Sequence, residues 1–194
     1  MLTGKRTLEL FPTLVTTFQV EIPRLDEALA QLVLARAQTT PSVMRGERHG
    51  WQSGNDFFRW SPAAATLGRV IADAVIEAHH DRAPIAEIGL LGWANLFTRG
   101  VAFSPHTHAD AAWSGAYYVD AGDSSPKSGG MLMVRDPRAG AAMIASPSNE
   151  FDSACTYEIA PRTGELVIFP SWLLHWVTTY ESDRPRISVS FNAR

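Results

Sequence analysis

The segment Ser104-Pro-His-Thr-His-Ala-Asp110 carries three side chains that can donate to a metal ion: His106, His108 and Asp110, spaced two apart. Residues i, i+2 and i+4 of a β-strand share one face. If extended, the segment would therefore line one wall with two imidazoles and a carboxylate, and it needs partners from elsewhere in the chain. Two later segments carry suitable groups. In Gly164-Glu-Leu-Val-Ile-Phe-Pro-Ser-Trp-Leu-Leu-His-Trp-Val177, an apolar run leads into a Phe-Pro turn and then into His175. In Arg184-Pro-Arg-Ile-Ser-Val-Ser-Phe-Asn192, the polar residues Arg186, Ser188, Ser190 and Asn192 alternate with Ile187, Val189 and Phe191. A buried polar stripe of this kind costs stability unless it is satisfied, which points to a ligand or a hydrogen-bond network in the cavity it faces.

The elements that must position these groups are legible from pattern and punctuation. Residues 8–22 read as one or two strands, with Pro12 at an edge or bend. Pro23 and Asp26 open a helix over 25–37, with Leu29, Leu32 and Leu34 as core positions. Residues 38–56 are polar and glycine-containing and read as a long loop of the kind that often carries function. Phe57-Phe58-Arg59-Trp60 is a short strand or an aromatic plug. Ser61-Pro62 has the form of a helix start. The helix it opens runs to about His79, with Leu67, Val70, Ile71, Ala74, Val75 and Ala78 on one face. His79 and His80 at its end, beside Asp81 and Arg82, read as cations at a helix C-terminus rather than as catalytic groups.

Beyond Pro84 the pattern changes to short strands at 88–97, 113–120, 131–135, 156–159, 166–169, 174–179 and 186–191, separated by turn chemistry. The expectation is an α+β chain, mainly β, with two N-terminal helices flanking a double-sheet sandwich or barrel. We read it as one domain over 1–194, in which 1–85 supply a strand and supporting helices and 86–194 supply the β core. Asp136-Pro-Arg138 reads as a loop with a structural ion pair, and Cys155 as a small core residue.

Composition narrows the function classes. Hydrophobic residues make up 45% and charged residues 19%, ordinary globular usage. A net charge of −3 gives no electrostatic argument for nucleic acid or for an anionic membrane. The single cysteine, Cys155, excludes an intramolecular disulfide and fits a reducing compartment. The N-terminus lacks the apolar run of a signal peptide, and no window approaches the ~18 apolar residues of a membrane span. The expected location is the cytoplasm. Nothing in the sequence requires or excludes a homodimer.

Two close donors, a distant His and an Arg eleven positions on (186 − 175) form a specific combination. It resembles the 2-oxoglutarate- and Fe(II)-dependent oxygenases, whose pattern is His-x-Asp/Glu…His…Arg-x-Ser/Thr on a double-stranded β-helix, a jelly-roll of the cupin type. The resemblance narrows to one largely uncharacterised branch. It is carried by His106-x-His108, Ser114-Gly-x-Tyr-Tyr-Val119, Gly129-Gly130, Asp136-Pro-Arg138, Phe169-Pro-Ser-Trp-x-x-His175 and Arg186-x-Ser-x-Ser-Phe-Asn192, and it covers residues 93–192.

This resemblance implies an enzyme that uses Fe(II), 2-oxoglutarate and O₂. Such an enzyme decarboxylates 2-oxoglutarate to succinate and hydroxylates a second substrate. The sequence departs from the wider superfamily where His108 replaces the usual Asp or Glu, so two ligand sets stand open: His106/His108/His175, which the branch pattern favours, and His108/Asp110/His175. Three neutral imidazoles would also suit Zn(II), Cu(II) or Ni(II). The same resemblance implies Arg186 as the clamp on the far carboxylate of 2-oxoglutarate, with Ser188 as its helper. Tyr118 would reach the same carboxylate, and Asn95 is a further cosubstrate contact. Trp113, Trp172 and Trp176 would shape the pocket or pack in the core.

The loops 38–56 and 120–129 are candidate walls for a prime substrate, expected to be a small molecule or a peptide. Two other functions fit the same residues. One is a cupin-like metalloprotein, a dioxygenase or isomerase that does not use 2-oxoglutarate. The other is a non-catalytic ligand-binding jelly-roll.

Overall fold

The computed structural model of the chain describes residues 6, 11–44, 50–79, 88–138 and 155–194. Among these the chain forms β1 (Thr16–Gln19), α1 (Leu25–Thr39), β2 (Trp51–Gln52), a 3₁₀ turn (Phe57–Arg59), α2 (Pro62–Ala78) and β3 (Leu90–Phe97). There follow β4 (Phe103–His106), β5 (Trp113–Asp120), β6 (Leu132–Arg135), β7 (Thr156–Ile159), β8 (Glu165–Pro170), β9 (His175–Val177) and β10 (Arg186–Ala193). The larger sheet has the order β1-β8-β5-β10-β3-β2 and the smaller one β4-β9-β6-β7. From β3 to β10 the strands fall large, small, large, small, small, large, small, large. All the named pairings are antiparallel. This is a double-stranded β-helix core carrying two helices.

Alternation along the large sheet sorts side chains between two compartments. On one face, Trp113, Tyr117 and Val119 of β5, Leu166 and Ile168 of β8, and Ile187, Val189, Phe191 and Ala193 of β10 form one buried cluster with the helices. α1 contributes Leu25, Leu29 and Val33, and α2 contributes Leu67, Ile71, Ala74 and Val75. On the other face, Tyr118, Val167 and Phe169 pack with Leu132, Val134 and Leu173 between the two sheets. The helices therefore seal one side of the sheet, and its other side faces the smaller sheet.

Local chemistry explains the helix ends. Ser61 Oγ accepts from the Ala64 backbone N–H at 3.1 Å, and Pro62 takes the first helical position. α1 starts differently from expectation. Its N-cap is Arg24, in the left-handed region at φ 61° with no side-chain cap. Asp26 instead accepts a 2.5 Å hydrogen bond from the buried Tyr117 hydroxyl on β5, tying the first turn of α1 to the sheet. Burial pushes the Tyr117 pKa up, so the phenol keeps its proton and acts as the donor.

Several boundaries are corrected. α1 runs to Thr39, and its core positions are Leu25, Leu29 and Val33. Leu34 is 39% exposed, because the buried stripe steps by four from Leu25. The expected loop 38–56 contains β2, paired with β3 through Trp51↔Leu96 and Gln52↔Asn95. The N-terminal strand region yields β1, at the edge of the large sheet. Residues 7–10 lie outside the described residues, as do His80, Asp81 and Arg82. The 57–60 stretch is the aromatic plug, with Phe57 buried against Phe58 and Trp60. Asp136 and Arg138 form the expected ion pair, and Cys155 is buried.

Gly115 marks the tightest approach in the large sheet. A Cβ there would lie 2.1 Å from the Val167 carbonyl oxygen and 2.5 Å from the Phe191 ring. Neither obstacle is the loose end of a flexible side chain. Gly115→Ala is expected to destabilise the fold by about 3 kcal/mol or more, read as a lowered denaturation midpoint. An unchanged midpoint would contradict this packing of β5 on β8 and β10.

Candidate metal centre and cosubstrate pocket

The smaller sheet brings two of the histidines together. β4 ends at His106, β9 begins at His175, and the two residues are direct cross-strand partners. Their ring centroids are 4.4 Å apart. His108 lies beyond the end of β4, where its backbone N–H donates to the Ser171 carbonyl at 2.9 Å. This bond places its ring 5.1 Å from His106 and 5.2 Å from His175, with Trp93 of the larger sheet 5.9 Å away. One candidate donor atom from each of the three rings lies within 4.8 Å of the others. The expected arrangement on a single strand face is therefore corrected: the strand stops at His106, and the i+2 alternation stops with it. Asp110 sits in the following turn, exposed and outside the cluster. Of the two ligand sets, only His106/His108/His175 is brought together.

The protonation pattern suits ligation. His106 Nδ1–H donates to the Ser104 carbonyl and His175 Nδ1–H to the Leu173 carbonyl, each at 2.7 Å. A carbonyl only accepts, so these rings carry their proton on Nδ1 and keep a lone pair on Nε2. Burial, reinforced by His106, lowers the His108 pKa to about 4. Burial also lowers His175 to about 4, against the raising effect of its bond to Leu173 and with help from His106 and His108. Both rings are neutral at pH 7, the form that binds metals.

The three histidines share a cavity of about 510 Å³ with Arg186, Ser188 and Tyr118. Arg186 is 2% exposed, its guanidinium carbon 4.8 Å from the Phe97 ring and 5.2 Å from the Tyr118 ring. Its Nη1 donates to Ser188 Oγ at 3.4 Å, while its buried Nε has no partner among the described residues. Burial pulls its pKa below the usual arginine value, with Tyr118 and Tyr180 opposing. An isolated buried charge costs several kcal/mol, and cation–π contacts return only ~2 kcal/mol. Among the described residues no Asp or Glu forms an ion pair with Arg186. An unpaired guanidinium in this setting can take a carboxylate. Tyr118 is 1% exposed and pushed up to about 12, chiefly by burial, so its hydroxyl is a donor.

Asn95 is absent from the described cavity lining. It is buried, and its amide is engaged behind the cavity wall: Gln52 Nε2 donates to Asn95 Oδ1 at 2.8 Å, and Asn95 Nδ2 donates to Ser190 Oγ at 3.0 Å. Ser190, the end of that chain, lines the cavity in its place. Of the two loops expected to wall a substrate site, 38–56 supplies Met44, Gln52 and Asn55, while 120–129 supplies none of the lining residues described. Residues 45–49 lie outside the described residues. Trp113 packs in the helix-side core, and Trp172 is 55% exposed. Neither these two nor Trp176 lines the cavity; the aromatic lining is Trp93, Phe103, Tyr118 and Phe169. Alternation along residues 90–97 was the available signal for Trp93, which pairs with Ser190 across β3 and β10.

A double-stranded β-helix that sets three imidazoles and a buried arginine on one cavity is an architecture that suits a metal-dependent enzyme taking an oxo-acid. The family described as "Putative 2OG-Fe(II) oxygenase" matches residues 92–192. That is just over half the chain, and the chain belongs to this family. Its cofactors are Fe(II) and 2-oxoglutarate, and the three histidines could hold the metal. No curated protein matches the sequence.

Solved structures agree on the fold. A prolyl-4-hydroxylase from Pseudomonas putida superposes with a TM-score of 0.66 at 16% identity, over 94% of this chain and 92% of that one. HygX from Streptomyces hygroscopicus, solved with nickel and 2-oxoglutarate bound, gives 0.64 at 14% identity over 93% and 82%. A prolyl hydroxylase from Trichoplax adhaerens, solved with a hypoxia inducible factor oxygen degradation domain peptide fragment, gives 0.64 at 14% over 92% and 82%.

The cluster geometry separates the two ligand sets by experiment. His106→Ala and His175→Ala are each expected to weaken Co(II) binding by more than the ~10–100-fold typical of changes to a ligand's supporting groups. Asp110→Ala should stay within about two-fold of wild type on that scale. Calorimetric titration reads both, and a large loss on Asp110→Ala would reinstate the carboxylate set.

Proposed function

We propose that this chain hydroxylates a small-molecule or peptide substrate, with His106, His108 and His175 as the iron ligands. Arg186, Ser188 and Tyr118 hold the far carboxylate of 2-oxoglutarate. The observation that carries the reading is a single cavity holding both a three-imidazole cluster and a buried guanidinium with an unpartnered Nε. The balanced reaction is R–H + 2-oxoglutarate + O₂ → R–OH + succinate + CO₂. Iron bound at the imidazoles supplies chelation of the oxo-acid and activation of O₂.

The rest is the work of the chain. The Nδ1–H bonds of His106 and His175 to main-chain carbonyls fix both rings with Nε2 free. With three neutral donors, one charge of a bound Fe(II) would be balanced by a carboxylate of the oxo-acid. Arg186 meets the other carboxylate in a dry setting where a two-pronged ion pair is strong. The Tyr118 hydroxyl donates from the same side, and Ser188 steadies the guanidinium. Gln52, Asn55, Met44 and Trp93 offer the prime substrate uncharged hydrogen-bonding and apolar contacts. The structural relatives include a HygX complex with hygromycin B and a hydroxylase bound to a peptide, and this supports keeping both substrate classes. We take residues 1–194 to work as one domain in the cytoplasm, alone or as a homodimer.

The test is succinate formation from 2-oxoglutarate with Fe(II) in air, across a panel of small molecules and peptides. Arg186→Met is expected to raise the KM for 2-oxoglutarate by about 100-fold, the scale of removing one partner of a buried charge pair. Turnover that ignores both 2-oxoglutarate and Arg186→Met would favour a cupin-type reaction at the same histidines.

A further inference from the structure

His108 is the one histidine of the three whose Nδ1 meets a side chain rather than a main-chain carbonyl. Asn192 Nδ2 donates toward His108 Nδ1 at 3.4 Å, and Asn192 Oδ1 accepts from Ser114 Oγ at 2.7 Å. Asn192 and Ser114 are direct cross-strand partners on β10 and β5, and both line the cavity. The chain Ser114–Asn192–His108 therefore continues the polar stripe of β10 up to the metal centre. Cosubstrate binding leaves two members of that stripe without a role, Ser190, which accepts from Asn95, and Asn192.

The chemistry at His108 sets a requirement. With Nδ1 facing Asn192, the nitrogen left for a metal is Nε2, and a ring that ligates through Nε2 carries its proton on Nδ1. That proton needs an acceptor. Asparagine presents an amine or a carbonyl oxygen on a half-turn about its last torsion, and the Ser114 hydroxyl can donate or accept to match either face. With Nδ2 toward the ring, Nδ1 must accept and Nε2 carries the proton, which blocks ligation. With Oδ1 toward the ring, Nδ1–H donates and the Nε2 lone pair is free.

We propose that Asn192, oriented through Ser114, is the positioning residue that sets the His108 tautomer for metal binding by offering Oδ1 to Nδ1–H. The inference rests on the three-histidine reading of the metal centre. A carboxylate commonly fills this supporting place behind a metal-bound histidine. An amide does so here without adding a negative charge, in keeping with a cluster in which all three donors are neutral.

The test uses Co(II) absorption for affinity and Zn(II)-loaded, ¹⁵N-histidine-labelled protein for tautomers read by NMR. Wild type should bind Co(II) and show His108 protonated on Nδ1 when Zn(II) is bound. Asn192→Ala should weaken Co(II) binding by ~10–100-fold and disturb the His108 signals, leaving the Nδ1–H signatures of His106 and His175 in place. Asn192→Asp keeps an acceptor of nearly the same shape and should bind Co(II) at least as well as wild type. The proposal is overturned if Asn192→Ala keeps wild-type affinity and His108 tautomer, or if Asn192→Asp is as weak as Asn192→Ala. Failure of wild type to bind Co(II) would instead sink the metal-centre reading beneath it.

Discussion

The two-residue period of β10 is the constraint on which the site depends. Ile187, Val189, Phe191 and Ala193 are buried under the helices, and full burial of each of the larger ones contributes roughly 1.5–3 kcal/mol. That anchoring leaves Arg186, Ser188, Ser190 and Asn192 with the opposite side of the sheet, the cavity. A slip of one residue would put a guanidinium into the helix-side core and turn Phe191 toward the cavity, so the register is strongly held. β5 obeys the same rule, with Tyr117 under α1 and Tyr118 in the space between the sheets. Two adjacent tyrosines thus do different work. One ties the helix to the sheet through Asp26, and the other presents a proton beside Arg186.

Electrostatics divides the cavity into two ends. At one, burial keeps His108 and His175 neutral at physiological pH. At the other, burial works against the charge of Arg186, yet a guanidinium is not deprotonated in proteins. A ligand that satisfies both ends must carry metal-binding oxygens at one terminus and a carboxylate at the other. 2-Oxoglutarate has this form, and the chemistry of the pocket agrees with the family to which residues 92–192 assign the chain.

Much of this was legible from the residues. The strands from β5 to β10 announce themselves by alternation and by Gly, Pro and Asp turns, and the helix start at Ser61-Pro62 is local chemistry. The three histidines were named by residue type and spacing and Arg186 and Ser188 by alternation on β10, while Tyr118 came from the resemblance to the oxygenases. What failed to show depends on distant partners. His108 takes its direction from a backbone bond to Ser171, so nothing in Pro105-His-Thr-His108 reveals that β4 stops at His106. β2 is two residues long and exists through its pairing with β3. The resemblance implied Asn95 as a cosubstrate contact, and nothing local shows that Gln52 and Ser190 hold its amide from either side. In α1 Leu29 is buried and Leu32 packs against the core as expected, but Leu34 is exposed and Val33 is buried, a choice among adjacent apolar residues that the sheet beneath makes.

The most direct test of the central claim, that one ligand bridges the histidine cluster and Arg186, is an anaerobic titration followed by visible absorption. Fe(II) and 2-oxoglutarate added together should produce a weak charge-transfer band that neither gives alone and that saturates at one equivalent of each per chain. Absence of the band with both present in excess would contradict the account.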